Sequence, residues 1–187
     1  MKMQEENTYG LNYKRGVIEI HEAAAQHYSL IQKLAQQTWP HTFKEILSTK
    51  QIAYMLEMMY SIPSLTEQVE KRGHIFLLAK NGADYLGYAS YEVNYTGMSK
   101  TKIHKIYILP RAQGKGVGKL LMLEIAERAQ QQKNTVLSLN VNRDNKAMHF
   151  YQKIGFQKVG EENISIGNGY MMEDAIMEKN LNVSSSK

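Results

Sequence analysis

Ile106-Tyr-Ile-Leu-Pro-Arg-Ala-Gln-Gly-Lys-Gly-Val-Gly118, running straight into Lys119–Lys133, is the stretch around which the rest of the chain is organised. Ile106–Leu109 is a short β-branched and aromatic run stopped by Pro110, which reads as a strand with a turn behind it. Gln113–Gly118 carries three glycines at alternate positions. From Val117 onward the apolar residues Val117, Leu120, Leu121, Ile125 and Ala129 follow helical spacing. The unit is therefore a strand, a glycine loop and a helix.

A glycine loop that opens a helix leaves several backbone N–H groups without intrahelical partners. Glycine lets those amides converge and lets a ligand approach the backbone closely. The helix dipole adds partial positive charge at the same place. The stretch thus predicts an anion site suited to phosphate or pyrophosphate, with Lys115 and Lys119 adding full charges nearby. A Walker loop does not fit, because Gly118-Lys119 is followed by Leu120 and Gln113 stands where its first glycine is needed. The dinucleotide fingerprint also fails, since its third glycine falls on Lys119. A glycine-rich helix start with no ligand is the bland alternative.

Gln113-Gly-Lys-Gly-Val-Gly118 resembles the Gln/Arg-x-x-Gly-x-Gly/Ala signature of the GNAT superfamily of N-acetyltransferases. Arg111-Ala-Gln-Gly-Lys-Gly116 fits the same pattern two residues earlier. The later register is preferred because it places Gly118 in the first helical turn. Asn145-Lys-Ala-Met-His-Phe-Tyr-Gln-Lys-Ile-Gly-Phe156 resembles the family's downstream segment, Asn-x-x-Ala-x-x-Phe-Tyr-x-x-x-Gly-Phe. The clear resemblance covers roughly Ile75–Glu178, and the N-terminal third is more loosely similar to the bacterial spermine/spermidine acetyltransferase branch.

The resemblance implies a fold and a site. The fold is α/β (α+β): a mixed, mostly antiparallel sheet of about seven strands with a splayed parallel pair and helices on both faces. The loop Gln113, Gly114, Lys115, Gly116, Val117, Gly118 and Lys119 would hold the pyrophosphate of acetyl-CoA, the cosubstrate. The pantetheine arm would slide between the splayed strands. There it would pair with backbone near Ile106, Tyr107 and Ile108 and near Asn140 and Asn142. Asn145 would cap the following helix, reach the pantetheine, or do both. Lys153 would reach a CoA phosphate unless it is simply a solvated helical lysine.

The chain is 187 residues long and 43% hydrophobic, enough for one domain with a substantial core. No apolar run approaches a membrane span, and the N-terminus lacks the apolar core of a signal peptide. There are no cysteines, so disulfides, zinc thiolates and cysteine nucleophiles are excluded. A cytoplasmic location is the default. The net charge of +5 suits a polyanionic cosubstrate, and no basic run is interleaved with aromatics, which speaks against nucleic acid as a partner. A homodimer is compatible with the sequence.

Residues 1–16 are polar and read as a mobile segment, 17–181 as a single domain and 182–187 as a tail. Val17–Ile20 reads as a first strand and Ala24–Gln37 as a helix broken by Pro40. Trp39 and Phe43 are either a packed loop cap or the wall of an acceptor pocket. Ile52–Tyr60 is a second helix ended by Pro63, and Ser64-Leu-Thr-Glu67 looks like a capping box for a third, reaching about Lys71. Its methionines read as core filler, with Met58 or Tyr60 in a substrate groove as a minority reading. Strands are expected over His74–Ala79, Tyr85–Tyr95, Lys102–Leu109, Thr135–Val141, Phe156–Val159 and Tyr170–Glu178. A short helix, Ala147–Ile154, is closed by Gly155.

Attack of an amine on a thioester passes through an oxyanion and expels a thiolate. Tyr151 matches the tyrosine of the family's Phe-Tyr pair and is the candidate proton donor to that thiolate; the alternative is a packed helical tyrosine. His104 is the candidate general base, with Glu92 or a water chain as alternatives. The remaining histidines show no metal-ligand spacing, and no metal is expected. The implied activity is an N-acetyltransferase acting on a primary amine in a ternary complex, with a polyamine, another small amine or a peptide as acceptor. A non-catalytic acyl-CoA-binding module of the same fold is the alternative. Carboxylates considered for a cationic acceptor are Glu45, Glu57, Glu67, Glu70, Asp84 and Glu92.

Overall fold

The computed structural model describes residues 18–181; the expected mobile segment 1–16, Val17 of the first strand and the tail 182–187 lie outside them. Seven strands form one sheet in the order β1-β2-β3-β4-β5-β7-β6. They are β1 (Glu19–Glu22), β2 (Ile75–Asn81), β3 (Asp84–Glu92), β4 (Lys100–Ile108), β5 (Val136–Asn142), β6 (Gln157–Gly167) and β7 (Tyr170–Asn180). The helices are α1 (Tyr28–Phe43), α2 (Thr49–Tyr60), α3 (Ile62–Glu70), α4 (Val117–Gln131) and α5 (Ala147–Lys153). Every neighbouring pair is antiparallel except β4 and β5, which the crossover through α4 makes parallel.

Alternation along β4 shows how the sheet is sandwiched. The Tyr107 ring packs on Trp39 of α1 at 5.6 Å and on Tyr88 at 5.6 Å. The adjacent Ile108 points the other way, to within 3.7 Å of where a Cβ on Gly118 of α4 would sit. Helices α1–α3 thus cover one face and α4 the other. Of the apolar positions read as helical in the glycine-loop unit, Val117, Leu121, Ile125 and Ala129 are buried and Leu120 is half-buried.

Three helix boundaries differ from the sequence reading. Pro40 does not break α1; the helix continues to Phe43, and Lys44 N–H still reaches the Pro40 carbonyl. A proline in the last turn sacrifices one backbone bond, while continuation packs the buried Trp39 and Phe43 against each other at 4.6 Å. Pro63 starts α3 rather than ending α2, as its fixed φ allows in a first turn. The expected capping box is absent: Ser64 Oγ donates to the Met58 carbonyl and accepts from Gln68 Nε2. In α5, Lys146 takes the N-cap position in place of Asn145. The Asn145 Oδ1 still accepts the Ala147 N–H at 2.9 Å, so the side chain caps from one residue earlier.

The last hairpin is longer than expected, with β6 running to Gly167. Its tip folds over α2, where Tyr54 donates to the Ile166 carbonyl at 2.7 Å and packs against Tyr170 at 5.5 Å with the rings tilted.

Candidate active site

β4 and β5 pair only from Lys100↔Val136 to Ile103↔Leu139. Beyond that point β4 stays bonded to β3 as far as Ile108, and β5 stays bonded to β7 as far as Asn142. The two strands therefore separate while each keeps its outer neighbour. The backbone edges of 104–108 and 140–142 face a gap. That gap opens into a cleft of about 1030 Å³ bounded by α1, α2, the glycine loop, α5 and the β6–β7 hairpin.

At one end of the cleft stands the glycine loop. Gly114 (φ 73°) and Gly116 (φ 83°) are left-handed, a conformation that side chains adopt only with strain. No side chain caps the N-terminus of α4, so its first-turn amides lack the usual internal partner. Gly118 lies in the first turn of α4, as the preferred register requires. The competing register is further weakened by Arg111, whose guanidinium makes a bidentate bond to Asp84 at 2.6 and 2.8 Å. Gln113 Nε2 donates to the Ile108 carbonyl and ties the loop to the end of β4.

The structure collects most of the sequence-derived site residues. Ile106, Tyr107, Ile108, Gln113, Gly114, Gly116, Val117, Gly118, Lys119, Asn140, Asn142, Asn145, His104 and Tyr151 all line the cleft. Lys115 and Lys153 are exposed and outside that lining. The role read for Asn140 and Asn142 is one for their backbone, and their side chains are engaged elsewhere. Asn140 Oδ1 accepts from Lys102 Nζ and its Nδ2 donates to Glu162, while Asn142 Oδ1 accepts the Asp144 N–H. Their backbone remains on the gap.

Tyr151 is buried between Phe150 (5.4 Å) and Phe156 (5.9 Å). Its hydroxyl makes no hydrogen bond among the described residues, and burial pushes its pKa up. A phenol held so is a donor that stays protonated across neutral pH.

His104 is the extra residue of a β-bulge, since the β3 partner steps from Ser90↔Lys105 to Tyr91↔Ile103. Its Nε2 lies 3.0 Å from Glu92 Oε2, and its ring stacks on His74 at 3.9 Å and 9°. Burial, then the neighbouring His74 and the positive fields of Lys105, Lys102 and Arg72, pushes its pKa down to about 2, which works against proton capture at neutral pH. His74, with Ser90 Oγ 3.2 Å from Nδ1, is likewise pushed down to about 3, chiefly by burial.

Nothing in the spacing marks that His74, Glu92 and His104 place donor atoms within 4.8 Å of one another. By residue type they could ligate a divalent ion. The two imidazoles lie in nearly parallel planes, and the neighbouring Lys102, Lys105 and Arg72 oppose a further cation.

The acidic residues considered for the acceptor scatter. Glu67 pairs with Arg72, Asp84 with Arg111 and Glu92 with His104, while Glu70 is exposed on α3. Glu57 faces a separate hollow of about 220 Å³ beside Gln32 and Gln36. Only Glu45 lines the main cleft, largely exposed and 3.7 Å from Lys146. Trp39 and Phe43 fit both readings offered for them, since they are packed and they wall the cleft. Met55 and Met59 line it as well, whereas Met58 is exposed elsewhere. Sequence reasoning missed two carboxylates that line the cleft, the exposed Asp144 and the buried Asp174, which is 4% exposed. The only signal for Asp174 is the acidic pair Glu173-Asp174 amid the otherwise apolar Tyr170–Met177.

The chain is similar to spermidine N(1)-acetyltransferase of Thermoplasma acidophilum, 26% identical over 162 residues that cover 83% of this chain and 96% of that protein. It is 33% identical over 84 residues to N-alpha-acetyltransferase RimI of Mycobacterium tuberculosis, covering 44% of this chain and 51% of that protein. The match thus spans about half the length of RimI, as it does for L-amino acid N-acyltransferase MnaT of Escherichia coli. Among solved structures, PaiA N-acetyltransferase of Thermoplasma acidophilum in complex with coenzyme A superposes with a TM-score of 0.73. It is 25% identical, and the superposition covers 87% of this chain and 98% of that one. The family model described as acetyltransferase (GNAT) domain matches residues 41–172, most of the chain, and the protein belongs to that family.

Proposed function

We propose that the protein moves an acetyl group from acetyl-CoA to a primary amine by direct attack within a ternary complex. The observation that carries this reading is the joining of two features in one cleft: an uncapped helix N-terminus built on left-handed glycines, and a parallel strand pair that separates after Ile103 and Leu139. The first suits a pyrophosphate and the second a linear chain with amides to pair. Tyr151 lines the same cleft and would protonate the departing thiolate. Backbone N–H groups on the unpaired edge of β4 would stabilise the oxyanion. No nucleophilic side chain is needed, because holding amine and thioester in line supplies much of the acceleration.

A small amine or polyamine is the favoured acceptor class, supported by the near full-length similarity to a spermidine N(1)-acetyltransferase. A peptide amine is the second reading, and the RimI similarity favours it over the shorter matched stretch. The test is thiol release from acetyl-CoA with a panel of amines and peptides, with the product identified by mass. Binding of acetyl-CoA without release under any acceptor would leave only an acyl-CoA-binding module.

Cofactor binding has its own readout. A ligand present at a hundredfold its Kd and bound only to the folded state stabilises by about 2.7 kcal/mol, so CoA should raise the Tm by several degrees. Gly116→Glu should abolish that shift by placing a side chain and a negative charge in the anion site. Gly82→Glu is the control: it puts the same residue at a positive φ (59°) in the distant β2–β3 turn and should retain the full shift. Loss of the shift in both would attribute it to backbone strain. Retention in both would move the anion site elsewhere.

A further inference from the structure

We propose that Asp174 is the carboxylate that receives the reacting ammonium of the acceptor, and that the acceptor carries a single cationic amine on an apolar body. The inference rests on the acetyl-transfer reading above and gives it an acceptor class.

Asp174 stands on β7 opposite Asn142, at the splayed end of β5. It is 4% exposed, lines the cleft and has no ion pair among the described residues. A buried carboxylate without a counter-ion is costly to keep charged, and a cation brought by a ligand offsets that cost. Its surroundings are one amide and an unequal set of charges. Asn140 hydrogen-bonds to it, Glu162 raises its pKa, and Lys102 and Arg143 act in the opposite sense, with burial the dominant cause of the upward shift. Arg143 is itself engaged by Glu161 and Glu173. Beside it Lys100 and Lys102, both outside the cleft lining, bond Glu178 and Asn140 respectively. Asp174 is thus the one buried carboxylate lining the cleft among the described residues, a match for one ammonium and not for three or four.

The walls point the same way. Trp39, Phe43, Met55, Met59 and Met172 line the cleft, and its two other carboxylates, Glu45 and Asp144, are exposed. Aromatic rings and pliable methionines suit an aryl or alkyl group.

The chemistry balances. The ammonium passes one proton to Asp174, and its freed lone pair forms the N–C bond to the thioester carbon. Collapse of the tetrahedral species breaks the C–S bond and expels the thiolate. The thiolate takes the proton of Tyr151, and the nitrogen's second proton restores the phenol. Asp174 returns its proton to solvent, for a net yield of amide, CoA thiol and one proton.

The test compares wild type with Asp174→Asn, using 2-phenylethylamine, spermidine and 2,2,2-trifluoroethylamine, the last being largely unprotonated at neutral pH. Wild type should turn over phenylethylamine in preference to spermidine. Removing one partner of a buried charge pair should lower kcat/KM for phenylethylamine about 30-fold or more. Trifluoroethylamine has no ammonium to be held, so its loss should stay under about 3-fold by the same argument. The CoA-induced Tm shift should be unchanged, which shows that the variant is folded and its cofactor half intact. Calorimetric binding of phenylethylamine to the CoA-saturated protein supplies a readout without turnover. Wild type that binds the amine through Asp174 but transfers nothing would sink the transfer reading and leave the site standing. Equal losses for both monoamines, undiminished phenylethylamine binding in Asp174→Asn, or preferred spermidine turnover would overturn the proposal.

Discussion

Tyr151→Phe is expected to lower the rate of acetyl transfer by about 10²-fold or more, within the range that a positioned general acid contributes, while the Kd for acetyl-CoA changes little. The substitution removes one oxygen and keeps the ring, so the packing against Phe150 and Phe156 survives. The hydroxyl makes no hydrogen bond among the described residues whose loss could loosen α5. Burial raises its pKa, so the wild-type phenol is intact throughout the neutral range, and activity should not fall from Tyr151 ionisation until strongly alkaline pH. Single-turnover rates with saturating amine, set beside Kd from the CoA-induced Tm shift, separate the two quantities. Equal losses in rate and in binding would make Tyr151 a packing residue.

The second large effect is on stability. Lys105 on β4 is buried, and its Nζ donates to Gln68 Oε1 at 2.6 Å and sits 5.6 and 5.7 Å from the ring centroids of Tyr60 and Phe76. No carboxylate pairs with it among the described residues. Burial, then the charge of Arg72, pushes its pKa down to about 7 from the ordinary 10.5. Between those values the unfolded chain binds a proton that the native state has released, so stability rises with pH in that window. At 1.36 kcal/mol per unit the gain from pH 7 to pH 9.5 is on the order of 3 kcal/mol. Lys102 and Lys179, also lowered by burial, add smaller slopes of the same sign. The buried tyrosines begin to oppose the trend only above that range. Lys105→Met should flatten most of the rise and stabilise the protein at pH 7, since a buried charge gives way to an apolar chain of similar size. Chemical denaturation of both proteins at several pH values measures this directly. An unchanged slope in Lys105→Met would show that Lys105 is charged in the fold.

Some of the fold was legible because its causes are local. Glycines at alternate positions between a β-branched run and a helical period can form little other than a strand, loop and helix, and the observed Gly116 N-cap and α4 follow that reading. The Asn145–Phe156 block was legible for the same reason, being a short helix with its own cap and stop. The central strands stood out as apolar runs. The β6 strand did not, because it is an exposed edge of alternating charge and polarity held mainly by its ladder to β7.

What only the tertiary structure decided is where long-range packing overrules local preference. Pro40 stays inside α1 because Trp39 and Phe43 gain a shared buried face. His104 lands beside Glu92 and His74 because a bulge rotates it there, and a bulge depends on the register between two strands that sequence spacing does not fix. The splay of β4 from β5 is a place where pairing stops, and both strands carry ordinary strand residues on each side of that point. The acidic candidates divided by partner: four of the six had met a cation or an imidazole, and the other two, Glu57 and Glu70, lay outside the cleft. Asp174 became visible only when β7 paired with β5 and set a buried carboxylate on the cleft floor, because the burial of a charge and the absence of its partner are properties of the assembled sheet.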